Sequence, residues 1–228
     1  FERLPREIVS GLFGEFGSAW TRELSSPEDP RPEEEALRVI ESCLVELGEE
    51  LAGCCEAFSG MRLQGRLAAM AHLSRGVEDQ PNQSLNDPET ANHYLALFMR
   101  KKLKLVYFLG PSPATMTVAP IESHQNEELF RTLLPPGALL VLRGDVCRCY
   151  LEPQISEPSL AVEVNFLAEQ KHGPLESALD RVMPPPELQH WILERLKTIA
   201  DNDVQEDVPE EWIKLARQTF HRSRPVRI

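Results

Sequence analysis

The chain has 228 residues, 42% of them hydrophobic and 26% charged, a composition expected of a soluble globular protein with one large core or two small ones. Its 24 Lys and Arg are outnumbered by 36 Asp and Glu, and the net charge of −12 argues against nucleic acid or anionic lipid as the main partner. No apolar run approaches the roughly 18 residues of a membrane helix, and no charged stretch followed by an apolar one opens the sequence, so neither a membrane span nor a signal peptide is expected. Five cysteines (Cys43, Cys54, Cys55, Cys147, Cys149) make an odd number without any C-x-x-C. They argue against a disulfide framework or structural zinc and for an intracellular compartment, the cytoplasm or an organelle stroma reached by a trimmed transit peptide. The sequon Asn82-Gln83-Ser84 is the single hint of secretion, and such tripeptides arise easily by chance.

Residues 1–80 are expected to be an N-terminal helical part. Leu4, Ile8, Leu12, Phe16, Trp20 and Leu24 recur every fourth position and predict one amphipathic helix. A second helix is predicted from Pro32, with Glu33, Glu34 and Glu35 as a solvated first turn. Its inward face reads Leu37, Ile40, Leu44, Leu47, Leu51, Cys54 and Phe58, and it ends near Gly60. Gly76 to Pro88 is polar and turn-rich and reads as a surface loop.

Residues 81–170 are expected to be a jelly-roll-like core. A helix over Glu89 to Lys102 with Tyr94, Leu97 and Phe98 inward precedes runs of strand length at Leu103–Leu109, Ala114–Ala119, Ala138–Arg143, Val146–Leu151 and Leu160–Phe166. Prolines and Pro135-Pro136-Gly137 punctuate them, which suggests an antiparallel sandwich or barrel. The predicted inward faces carry Leu105, Tyr107, Leu140, Leu142, Val162, Val164 and Phe166. Residues 171–228 form a C-terminal helical extension. One stripe there is Leu188, Trp191, Ile192, Leu196 and Ile199, and a second helix behind Pro209 turns Trp212, Leu215, Ala216 and Phe220 inward. The fold class is therefore α+β, with N-terminal helices packed on an antiparallel core and a helical extension after it.

Chemistry is scarce. Iron oxygenases of the jelly-roll type use His-x-Asp/Glu and a later His, because two imidazoles and a carboxylate leave open positions on the metal. The residues two places after the six histidines are Ser74, Leu95, Asn126, Pro174, Ile192 and Ser223, and none is an acid. There is no Gly-rich phosphate loop and no G-x-S-x-G elbow. Cys147 and Cys149 share one strand face, where small core residues are a better reading than a redox or soft-metal pair; Cys54-Cys55 likewise reads as packing. Arg143-Gly144-Asp145 reads as a turn between strands rather than an integrin ligand, the three tryptophans as helical core residues, and His93 and His124 as surface or capping residues.

The segments Lys104-Leu-Val-Tyr-Phe-Leu109, Leu134-Pro-Pro-Gly-Ala-Leu-Leu-Val-Leu-Arg-Gly-Asp145, Cys149-Tyr-Leu-Glu-Pro153 and Ser159-Leu-Ala-Val-Glu-Val-Asn-Phe-Leu167 resemble the C-terminal half of prolyl-hydroxylase-like 2-oxoglutarate oxygenases. In that family a distal iron-binding His follows the Pro-Gly turn and its strand, and an Arg opening the last strand grips the cosubstrate carboxylate. By this resemblance Cys149 stands for the distal His and Ser159 for the Arg, while Leu85-Asn86-Asp87 stands for the proximal His-x-Asp, keeping an acid at Asp87 but no imidazole at Leu85. The resemblance thus implies a double-stranded β-helix kept as a scaffold, a pseudo-enzyme with no catalytic residue, metal or cofactor.

A second resemblance lies at the end. Trp212-Ile213, Ala216-Arg217 and Thr219-Phe220, followed by His-Arg-Ser-Arg-Pro-Val-Arg-Ile228, are similar to the region preceding the ketosynthase in protist-type polyketide synthases. It implies a non-catalytic accessory or interaction domain of such a synthase or another multi-domain assembly, in a chain that continues past Ile228. The expected partner is a protein, a neighbouring synthase domain or a second copy of the chain. Two rival readings remain: an iron- and 2-oxoglutarate-dependent oxygenase with unusual ligands such as Asp87, His93, His124 and Cys149, and a structural subunit of a larger complex.

Overall fold

The computed structural model describes residues 2–5, 7–8, 20–25, 28–29, 31–59, 62–74, 85–120, 130–153, 158–168, 186–201 and 208–221. Its main sheet runs β1 (Glu2–Arg3), β2 (Trp20–Glu23), β4 (Met70–Ser74), β10 (Ser159–Ala168), β5 (Lys101–Gly110), β8 (Ala138–Arg143), with β3 (Leu63–Arg66) on the same side of β10 as β4. A smaller sheet runs β7 (Phe130–Leu134), β6 (Ala114–Pro120), β9 (Cys147–Pro153). All pairings are antiparallel. Among the described residues the helices α1 (Glu35–Ser59), behind a 3-10 turn at Pro32–Glu34, α2 (Pro88–Arg100), α3 (Pro186–Asp201) and α4 (Glu210–His221) accompany them. The fold is α+β with a jelly-roll-like antiparallel core, as the sequence implies. No described helix is long and apolar enough to cross a membrane.

The five strand-length runs of the central region all form strands. Pro135-Pro136-Gly137 makes the turn between β7 and β8: the Ala138 N–H donates to the Pro135 carbonyl at 3.1 Å, and the Gly137 N–H to Phe108 O at 2.7 Å. Gly137 holds a φ of 83°, a region open to glycine and strained for residues with a Cβ. The expected turn at Arg143-Gly144-Asp145 is also found, and the Arg143 guanidinium chelates the Asp145 carboxylate at 3.0 and 2.8 Å, so the two side chains answer each other.

The main sheet is covered on both faces. Over one face lies α1, whose Leu37, Ile40, Leu44, Leu47 and Leu51 pack on Leu103, Leu105, Val162, Val164 and Phe166. Gly48 lets it approach, since a Cβ there would overlap the Phe166 ring. The other face meets the small sheet through Val106, Phe108, Ala161, Met116 and Leu134. In a separate cluster, α2, α3 and α4 pack on Met70 of the main sheet and on Leu67 with Leu188, Ile192, Leu196, Trp212 and Leu215, and Trp191 meets Trp212 edge-on at 6.0 Å between ring centroids.

Five expectations are corrected. Trp20–Glu23 is a strand, not the end of a helix; a spacing of four keeps residues on one face in either structure, so the stripe alone could not discriminate. Strands β1, β3, β4 and β7 lie outside the predicted strand runs. Leu140 and Leu142 lie on the opposite face of the sheet from Leu105, Tyr107 and Val164, because Leu140 pairs with Val106 and Leu142 with Lys104. Cys54 is exposed and Cys55 joins the cluster under α1. Glu34 is 1% exposed rather than solvated. Its carboxylate accepts from the Ser25 hydroxyl at 2.6 Å and the Ser25 N–H at 2.8 Å and meets Arg22 Nε at 2.9 Å. These Ser25 bonds, against the opposing effect of burial and with help from Arg22, hold its pKa below the ordinary carboxylate value. The loop at 76–84, the side chains of Phe58 and Phe220, and 222–228 lie outside the described residues.

Candidate functional site

Between the two sheets, the inward positions of β10 are Ser159, Ala161, Glu163 and Asn165. Register places Ala161 beside Phe108 and His72, Glu163 beside Val106 and Met70, and Asn165 beside Lys104. From the small sheet Cys149 turns in, paired with Val118. These polar groups are deeply buried: Glu163 is 0% exposed, Asn165 1%, Lys104 3% and His72 6%. Water cannot solvate them, so their partners must.

Lys104 Nζ lies 2.6 Å from Glu163 Oε2, and Asn165 Nδ2 donates to Glu163 Oε1 at 2.7 Å. Lys104 also hydrogen-bonds Cys149, so one ammonium ties β5 and β10 of the main sheet to β9 of the small one. Burial alone would raise the Glu163 pKa, but Lys104, with His72 and Lys101, outweighs it and holds the acid below its ordinary value. Burial likewise depresses Lys104, and Cys149 and Glu163 overcome this to raise it. Lys101, whose ammonium sits 5.5 Å from the Phe98 ring centroid, is pushed down to about 8 by burial and then by Lys104. Burial is also the main cause that lowers His72 to about 4, with Lys104 adding to it and Glu163 opposing. The 3.7 Å contact between His72 Nε2 and Glu163 Oε2 therefore joins a neutral imidazole to a carboxylate at pH 7, and is no ion pair.

The positions singled out in the sequence do not converge. Asp87 caps α2 at the surface, its Oδ1 accepting from the Thr90 N–H at 2.7 Å. Leu85 is buried at the helical side of the core, its N–H on Glu7 Oε2 at 3.0 Å and its carbonyl accepting from Trp191 Nε1 at 2.9 Å. His93 is exposed on α2, edge-on to Tyr94, and His124 lies outside the described residues. Cys149 and Ser159 alone lie on inward strand positions, both buried. Lys104, Glu163, Asn165 and His72 are not among the candidate residues of the sequence. Their signal was a charge inside each of two apolar strand-length runs, at Lys104 and at Glu163.

No family model matches the chain, and no curated protein matches it. Among solved structures it is similar to a prolyl hydroxylase from Trichoplax adhaerens, in complex with a hypoxia inducible factor oxygen degradation domain peptide, at 15% identity over 71% of this chain and 66% of that one, with a TM-score of 0.44. It is also similar to hydroxypropylphosphonic acid epoxidase from S. wedmorenis, at 12% identity over 43% of this chain and 42% of that one with a TM-score of 0.26. A third is ycfD of E. coli, at 15% identity over 75% of this chain and 43% of that one with a TM-score of 0.29. The chain spans less than two thirds of each. The fold assignment rests on the strand order itself.

The oxygenase resemblance implies iron and 2-oxoglutarate, and the residues described do not fit them. The Cys149 thiol is engaged by an ammonium, which repels a dication. Ser159 brings no charge to the start of β10, and Asp87 is spent on a helix cap. Among the described residues no three His, Cys, Asp or Glu side chains gather as a metal site.

Proposed function

We propose that this chain is a non-catalytic interaction domain on an oxygenase-like scaffold, a part of a polyketide synthase or another multi-domain assembly. The observation that carries the reading is the Lys104–Glu163 pair: the last strand of the core turns a buried acid inward, and that acid is satisfied by the protein's own lysine and asparagine. An acid answered from within leaves no open charge on this strand for a cosubstrate, and the outer surfaces and helices are left to do the work, with a protein or a neighbouring synthase domain as partner. Isothermal titration and thermal shift with Mn(II) or Fe(II) and 2-oxoglutarate test it. No binding isotherm and no stabilisation are expected; stoichiometric micromolar binding, lost in Asp87→Ala or His124→Ala, would establish the oxygenase instead.

The synthase setting draws its support from Trp212 to Ile228. There α4 is docked by fully buried Trp212 and Ala216, and the segment after it carries Arg222, Arg224 and Arg227 with Pro225, Val226 and Ile228. The transcript beyond Ile228 is expected to encode a ketosynthase. A stop codon or an unrelated domain at that point removes the synthase from the proposal.

A further inference from the structure

We infer that Glu163 is a built-in carboxylate ligand of Lys104, so that the sandwich encloses a site for a small carboxylate that its own side chain already fills. The inference deepens the non-catalytic reading and rests on it. Its ground is the geometry of the interior. One carboxylate oxygen meets the ammonium at 2.6 Å and the other takes the Asn165 amide at 2.7 Å, a two-point grip of the kind that fixes a carboxylate. Both charged residues lie between the sheets with almost no exposure, and the second ammonium at Lys101 leaves this region cationic without Glu163. The grip does not need the acid to be covalently attached to β10; any carboxylate small enough to occupy the same volume satisfies the same donors.

One consequence is shared with an ordinary structural ion pair, and a second is not. Removing the carboxylate alone leaves a buried ammonium uncompensated, whereas removing both charges does not. The space vacated in Glu163→Ala retains the donors Lys104 and Asn165 and becomes a carboxylate site. Thermal unfolding of the whole chain reads both. Glu163→Ala is expected to melt many degrees below wild type and to regain several degrees in excess acetate, by the linkage of ligand binding to stability. Acetamide should do nothing for it, and acetate nothing for wild type or for Lys104→Met. The double variant Lys104→Met/Glu163→Leu is expected to melt above Glu163→Ala.

If acetate restores Glu163→Ala no more than acetamide does, the built-in ligand is wrong and the non-catalytic reading stands. If wild type itself is stabilised by 2-oxoglutarate, it is the non-catalytic reading that fails. Should Glu163→Ala yield no folded protein on its own, refolding it in acetate decides: a soluble, cooperatively melting product in acetate but not in acetamide supports the inference, and failure in both overturns it.

Discussion

Val164→Asp is expected to abolish folding. Val164 is fully buried on β10 under α1, paired with Leu105 and flanked by Val162 and Phe166. The side chains it packs with there, Leu103, Leu105 and Leu44 among them, are apolar; the ammonium that steadies Glu163 lies on the other face of the same strand. An unpaired buried carboxylate costs several kcal/mol, against a total stability of about 5–15 kcal/mol for a typical domain. Circular dichroism of the purified variant should show no cooperative melt. A soluble Val164→Asp protein with a sharp transition would mean that this face is not the one sealed by the helix.

Mild acid should weaken the protein well before ordinary carboxylates titrate. His72 has its folded pKa lowered from an ordinary 6.5 to about 4, so between those values the unfolded chain binds a proton that the folded one refuses. Stability therefore falls as pH drops through this window and is fully retained above it, the loss summing to about 3 kcal/mol by pH 4. Glu163, also lowered, adds its own loss below the ordinary carboxylate value. Urea unfolding midpoints for wild type and His72→Gln, measured at steps from pH 7 down to about 4, separate the two. The wild-type midpoint should slide while the variant stays level until the ordinary carboxylate range is reached, where the unfolded chain begins to bind protons that folded Glu163 and Glu34 refuse; parallel curves would remove His72 as the cause.

Much of the architecture was legible because local signals agreed with one another. Ala138 to Arg143 follows a Pro-Pro-Gly turn and has strand length; Leu188, Trp191, Ile192, Leu196 and Ile199 keep helical spacing; both elements form as read. Glu163 and Asn165 misled for a physical reason. Alternation with Val162, Val164 and Phe166 says that a strand has two different faces, but not that the polar one is wet. In a sheet with a helix on one side and a second sheet on the other, both faces are dry, and the polar residues become the interior of the site. Lys104 passed unnoticed in the same way, as the charged member of an apolar run. At the other extreme, Trp20 and Leu24 fitted helix and strand equally, and only pairing with β4 across some fifty residues of chain decides between them.

Among the described strands, the one at the centre of the main sheet is also the last to leave the ribosome. β10 lies between β5 on one side and β4 and β3 on the other, so during synthesis these earlier strands stand without the neighbour that joins them, their apolar faces and hydrogen-bonding edges open. Docking of α1 is incomplete as well, since Val162, Val164 and Phe166 are part of what it covers. Nascent chains that end before residue 159 thus leave these edges unpaired and open to other chains and to chaperones, until β10 is there to pair with both sides. The strand that satisfies the interior also governs when the molecule becomes safe from aggregation.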